Sequence, residues 1–333
     1  MTCYPIKFFA VCALVTLCIA ALPLPSRTWA RSRSVPVLLV HGFQTGAINP
    51  LTHRAPVTDP RDDWKALCLQ LTKERICRFI PVPVTDARGQ RLWSFWQVQG
   101  HPVYVSNYTE NTRITSLTCI GVYASLLAEE IKVIKQREHA SRIDIVAHSM
   151  GGLVSRAYIE RSDFREGDGA LLIYAYAYAR DVRKLIMLGT PNHGTPLTEI
   201  ATILGIRLDK TPAFSVKQMH PGSKFLRLLN RGRTGSSLGV EYSAIAGNKC
   251  QCSLWDKLWA EVRAQIGIEI PAHVYCELFE KYYRCGDNDM VVATESVRLS
   301  EIPSKRYKEY LGIDHVGLLN NSKVIGQIEL LLR

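Results

Sequence analysis

Beyond its first thirty residues this chain of 333 has no second long apolar run, so nothing there predicts a membrane-spanning helix. It also lacks a nucleic-acid-binding motif and any block of Lys and Arg dense enough to follow a phosphate backbone. Its cysteines fit no standard zinc spacing, which leaves a structural zinc site without ligands in the expected order. There is no internal repeat and no low-complexity linker, which excludes a solenoid or an array of tethered modules. Charged residues are 21% of the chain against 47% hydrophobic, an ordinary globular balance. A core of useful size can form, and neither metal nor disulfide is needed merely to fold.

What is present begins with a leader pattern. Lys7 precedes an apolar run from Phe8 to Leu22, and Thr28-Trp29-Ala30 supplies a small-residue site. This is the arrangement of a secretory signal peptide, and the run is shorter than the ~20 residues of a spanning helix. Residues 1–30 are therefore expected to be a cleaved leader, with secretion or a periplasmic location; a retained membrane anchor is the alternative. Residues 31–333 then form one domain. The formal charge is +11, and Lys7 and Arg27 are the only charges ahead of Arg31, so the exported chain carries +9. A basic surface of that size aids solubility, and it also suits approach to anionic surfaces such as phospholipid head groups. Three of ten cysteines lie in the leader. The other seven, in an exported protein, predict up to three disulfides and a free thiol. Cys68 and Cys77 are candidates for a local bridge. Cys250, Cys252, Cys276 and Cys285 form a late cluster.

The short continuous apolar run 37–40 stops at His41-Gly42 and reads as a buried parallel strand; 143–147, which leads into His148-Ser149, and 184–188, stopped by Gly189, read as a second and a third. Further strands are expected at 102–106, 242–246 and 306–311. Helical spacing appears over 62–71, 116–138, 151–160, 223–230 and 322–332. Strands alternating with helices predict an α/β fold, a mostly parallel central sheet with helices on both faces. Residues 79–102, with Trp93, Phe95 and Trp96, read as a long connection, either a packed loop or an acyl-binding surface. The period-2 tyrosines Tyr174, Tyr176 and Tyr178 suggest an extra hairpin.

The strongest chemical signal is Ile145-Val146-Ala147-His148-Ser149-Met150-Gly151-Gly152. A buried strand runs into Ser149 and a helix starts straight after it, which lifts the hydroxyl above the sheet edge on a sharp turn. Such a turn brings neighbours two residues either side into near contact, and Ala147 and Gly151 are small enough. Ala147 departs from the G-x-S-x-G pattern but meets the same steric demand. A serine N-cap after an ordinary strand is the plainer alternative. The earlier strand ends in His41-Gly42-Phe43. In this geometry the N–H groups of Phe43 and Met150 form an oxyanion hole, while His41 orders the loop by hydrogen bonding. Acid and base should follow the serine in that order. His315, in the glycine-flanked loop Gly312-Ile313-Asp314-His315-Val316-Gly317, is the expected base, with His273 its nearest rival. Asp289 is the expected acid, with Asp287 second. Asp314, adjacent to His315, points the wrong way and is read as structural.

These residues resemble the bacterial triacylglycerol lipase and esterase branch of the α/β-hydrolase superfamily. Four stretches carry the resemblance: Val40-His41-Gly42-Phe43, Ala147-His148-Ser149-Met150-Gly151-Gly152, Leu188-Gly189-Thr190-Pro191-Asn192-His193-Gly194-Thr195, and Asp289-Met290-Val291-Val292 with His315. The third stretch is also similar to lipase-type deacylases of glycolipids. The resemblance implies the α/β-hydrolase fold and a lid or cap within 197–235. It also implies hydrolysis of lipid or acyl esters through Ser149, Asp289 and His315. An acyltransferase or a phospholipid or glycolipid deacylase with the same triad is the alternative, and an inactive lipid-binding relative a remote one. No cofactor is implied. Some lipases hold a structural calcium, and the sequence places no site for one. The expected partner is a lipid or acyl-ester substrate, with transient contact at a lipid interface and no nucleic acid.

Overall fold

The computed structural model describes residues 35–42, 59–108, 119–160, 178–196, 199, 213–231, 235–249, 281–282, 288–289 and 291–333. They lie in one compact unit, Val35–Arg333. Residues 1–30, where a leader is expected, lie outside the described residues.

Eight strands form one sheet: β1 (Val37–Val40), β2 (Phe79–Thr85), β3 (Arg91–Val98), β4 (Val103–Val105), β5 (Ile143–His148), β6 (Val182–Leu188), β7 (Glu241–Asn248) and β8 (Tyr307–Leu311), in the order β2-β3-β4-β1-β5-β6-β7-β8. From β4 to β8 every neighbouring pair is parallel. The helices are α1 (Pro60–Thr72), α2 (Ile120–Glu138), α3 (Met150–Glu160), α4 (Ala213–Gln218), α5 (Lys224–Arg231), the single turn α6 (Thr294–Val297) and α7 (Ser322–Leu332).

Strand side chains alternate between the two faces, and the core splits accordingly. Leu38, Val40, Ile145, Ala147, Leu185 and Met187 join the cluster that α2, α3 and α5 cover. Leu39, Val146 and Ile186 join the opposite cluster, with Trp64, Leu67 and Cys68 of α1 and Val324, Ile325 and Ile328 of α7. Strands buried on both faces explain why 37–40, 145–147 and 185–188 are apolar at every position. Each fully buried aliphatic side chain contributes about 1.5–3 kcal/mol. Helix ends are set locally. Asp59 caps α1, accepting from Arg61 N–H at 2.9 Å ahead of Pro60, and Asn321 caps α7 in the same way.

The structure corrects the expectation for residues 79–102. They form the antiparallel β2–β3 hairpin, not a loop, at the sheet edge. Trp93 and Phe95 are buried in the core and Trp96 packs on the opposite cluster, so these aromatics are packing residues and not an acyl-binding surface. Within the candidate lid, Val216, Phe225, Leu226 and Leu229 of α4 and α5 are buried in the main core. Residues 197–198, 200–212 and 232–234 of that segment, and Tyr174 and Tyr176, lie outside the described residues; Tyr178 meets Tyr158 edge-on. Cys68 and Cys77 stand as free thiols, so the structure does not form the expected Cys68–Cys77 bridge. Cys250, Cys252, Cys276 and Cys285 are outside the described residues. No helix among the described residues is long and apolar enough to cross a membrane.

Candidate active site

Ser149 is the single residue between the end of β5 and the start of α3. Its φ is +55°, in the left-handed region where a side chain costs of order 1–3 kcal/mol. Both neighbours impose it: the Ser149 N–H donates to Leu188 O in β6 at 2.8 Å, and its carbonyl accepts the Gly152 N–H at 3.0 Å. The end of β1 closes over this turn. A Cβ on Gly42 would stand 2.7 Å from Ser149 Cβ, so only glycine fits there. Gly151 packs on the carbonyls of Val40 and His41. Met150 opens α3, so its N–H has no partner within the helix and lies at the positive end of the helix dipole.

On the other side of β5, Asp289 and His315 are paired. Asp289 follows β7 and is fully buried; His315 follows β8 and is 8% exposed. His315 Nδ1 lies 2.7 Å from Asp289 Oδ2, and His315 N–H donates to Asp289 O at 2.9 Å. Asp289 Oδ1 accepts the N–H groups of Val291 and Val292 at 3.0 and 2.6 Å. A carboxylate only accepts, so His315 Nδ1 carries the proton and its Nε2 is the basic nitrogen of the neutral ring. Gly189, at the end of β6 with φ +55°, makes room for the pair. A Cβ there would sit 2.9 Å from Asp289 Oδ2 and 3.0 Å from His315 Nδ1.

Two more histidines complete the surroundings, and both are held neutral. His148 donates from Nε2 to the His315 carbonyl at 2.9 Å, and the two rings lie 4.5 Å apart. Burial, then the nearby His315 ring, pushes the His148 imidazole well below its ordinary range. His41 donates from Nδ1 to Gly42 O at 2.8 Å, and burial pushes its pKa down to about 4. A neutral His148 keeps a second positive charge away from His315.

The stretch from Gly189 to Thr195 braces the segment that follows Asp289. Thr195 Oγ1 donates to Val291 O at 2.6 Å, and Asn192 Nδ2 donates to Val297 O at 2.8 Å. Asn192 Oδ1 accepts from the buried Arg156 of α3, which also pairs with Glu160 at 2.9 Å. Helix α3, the loop after β6 and the segment 291–297 that follows Asp289 are thus tied by one chain of bonds. A cleft of about 630 Å³ opens beside this network, lined by Arg156, His193, Arg298 and Glu301 among others; Ser149, Asp289 and His315 do not line it.

The structure brings Asp289 and His315 into contact, and sets Ser149 at the mouth of β5 with Met150 behind it. Phe43, Asp287 and His273 lie outside the described residues. Asp314 pairs with Lys249 at 2.8 Å and accepts the Gly317 N–H at 2.7 Å. Sequence reasoning left His148 and Gly189 without roles. Both lay inside quoted motifs, and the strand-end position of Gly189 was the available signal. Among the described residues no group of three or more His, Cys, Asp or Glu could hold a metal ion, and calcium remains unplaced.

A family model described as a domain of unknown function (DUF7379) matches residues 123–205, about a quarter of the chain. No curated protein matches the sequence. Among solved structures, the mature lipase BlEst2 of Bacillus licheniformis is similar at a TM-score of 0.54 and 18% identity, covering 90% of this chain and 93% of that one. Phospholipase PlaB of Legionella pneumophila is similar at a TM-score of 0.50 and 15% identity. That match covers 90% of this chain and 58% of the phospholipase, so this chain spans under two thirds of its length. With the sheet order and parallel register described above, these likenesses show that the chain has the α/β-hydrolase fold.

Proposed function

We propose that the protein is a serine hydrolase of lipid or acyl esters, with Ser149 as nucleophile, His315 as base and Asp289 as the acid that holds it. The observation that carries this is the buried 2.7 Å Asp289–His315 pair, beside a serine held at φ +55° between a strand and a helix. Strain of that kind persists only where the surroundings over-determine it, and it recurs at reactive positions.

In this reading His315 Nε2 takes the Ser149 proton as Oγ attacks the ester carbonyl. Asp289 keeps the imidazole in the reactive tautomer and stabilises it once cationic. The N–H groups of Met150 and Phe43 hold the developing oxyanion. His315 returns its proton to the leaving alcohol, and water then releases the acyl group by the same steps in reverse. The similarity to proteins named lipase and phospholipase supports an ester of a fatty acid as substrate. The leader pattern supports export, and the net charge of +9 that remains supports contact with anionic lipid surfaces.

A fluorophosphonate probe tests the assignment. Wild-type protein should be labelled at Ser149 and Ser149→Ala should not. That variant should lose about a millionfold in kcat on p-nitrophenyl esters. Labelling at another residue, or none, refutes the proposal. A series of esters from short to long acyl chains, with and without vesicles, then separates lipase from esterase: activity confined to short soluble esters makes it the latter.

A further inference from the structure

His41 is gripped from two directions by one residue, Tyr108. The Tyr108 hydroxyl donates to the His41 carbonyl at 2.8 Å. Its ring lies flat on the His41 imidazole, with centroids 4.5 Å apart and planes 1° from parallel. Tyr108 is fully buried, and Tyr123 closes its surroundings at 5.0 Å. A buried phenol needs a hydrogen-bond partner, but that need alone does not select both ends of the same histidine.

The short segment that carries Tyr108 is itself anchored. Ser106 N–H donates to Leu39 O at 2.9 Å, extending the β1–β4 pairing. Asn107 N–H donates to Glu130 Oε1 at 3.0 Å, and Asn107 Nδ2 to Ser94 O at 2.9 Å. Glu130 of α2 also takes the Trp93 indole N–H at 3.2 Å and the Ser106 hydroxyl. Tyr108 is therefore a rigid support.

What it supports is the direction of a peptide group. His41 Nδ1 donates to the Gly42 carbonyl. A peptide group is planar, so fixing that carbonyl fixes the plane of the whole group that leaves Gly42. The His41 ring sets the carbonyl, and Tyr108 sets the ring. We propose that Tyr108 is a positioning residue that acts through His41 to hold the oxyanion-binding peptide at the end of β1. The proposal rests on the reading of Ser149 as nucleophile.

The test is Tyr108→Phe, which keeps the stacked ring and removes only the hydroxyl, with Tyr108→Leu removing both. Turnover is expressed per Ser149 titrated by the fluorophosphonate, so any unfolded fraction drops out. Tyr108→Phe should lower kcat about tenfold with KM unchanged, and Tyr108→Leu should lower it further, because the lost contact acts on the transition state alone. The rate of Ser149 labelling should fall in the same proportion. A Tyr108→Phe protein with wild-type kcat per labelled serine, or one in which KM rises while kcat holds, overturns the proposal. Absence of label on wild-type Ser149 removes the hydrolase reading and the Tyr108 role with it. Label with undiminished turnover removes only the latter.

Discussion

Two fully buried carboxylates flank β5, the strand that runs into Ser149. Asp289 lies beyond the end of β7 and Glu130 beside the end of β4, and each of these strands is two places from β5. They are held in contrasting ways. Asp289 takes two backbone N–H groups on one oxygen and an imidazole on the other. Glu130 takes an indole, a backbone N–H and a hydroxyl, and no basic side chain pairs with it among the described residues. Burial pushes Glu130 up to about 7. In the proposed mechanism the first arrangement answers a charge that forms on its neighbour during reaction. The second is an anchor that works whether or not it carries a proton. Burial alone does not mark a catalytic acid; the partner that can become cationic does.

The largest break in this comparison is expected at Asp289. Asp289→Asn keeps the shape and offers an amide where the ring needs an acceptor, so kcat should fall by about 10³–10⁴ with KM little changed. Asp287→Asn should leave kcat near wild type, and steady-state kinetics on both variants would expose a wrong choice of acid by reversing that ranking. Next in size is Gly189→Ala. A side chain at φ +55° costs about 1–2 kcal/mol, and the new Cβ would press on both members of the Asp289–His315 pair. A lowered melting temperature and a drop of about a hundredfold in kcat are expected together. Loss of stability without loss of kcat would mean that the pair tolerates displacement.

Much of this was legible because parallel strands buried on both faces leave short apolar runs. The runs ending at Val40, His148 and Leu188 carry the strand ends that build the site. Ser149 was readable since a strand-to-helix turn needs small neighbours within a few residues, a purely local demand. The β2–β3 hairpin was hidden by Pro81 and Pro83, which argue against a strand. They are tolerated because β2 is the edge of the sheet. Tyr108 left no trace for a different reason. Its partner His41 is 67 residues away, and no spacing rule connects two residues that meet only through the pairing of β1 with β4. His148 was in plain view, but its bond runs to a carbonyl 167 residues on. Local stereochemistry is written in the sequence, and contacts made by sheet order are not.

The smallest expected effect on catalysis, and the sharpest on stability, is at the other carboxylate. Glu130→Gln suits the site: the amide oxygen can accept from Trp93 and Asn107, and the amide nitrogen can donate to the Ser106 hydroxyl. Turnover should stay within about twofold of wild type. Stability should respond through pH. The fold raises Glu130 from an ordinary 4.5 to about 7, so its contribution is fully present below about 4.5 and is lost as pH rises through 7. His41 has the opposite sign. Its pKa is depressed from 6.5 to about 4, so its contribution is present above 6.5 and is lost as pH falls toward 4. Each pKa unit is worth about 1.4 kcal/mol, and the two slopes oppose one another between about 4.5 and 6.5. Removing the Glu130 slope should leave that of His41 uncovered. Denaturation curves of Glu130→Gln should then match wild type near pH 4.5 and exceed it by about 3 kcal/mol at pH 8. Parallel stability curves for the two proteins across that range would show that Glu130 is no more costly to ionise in the fold than in the unfolded chain, and the contrast with Asp289 would lose its energetic basis.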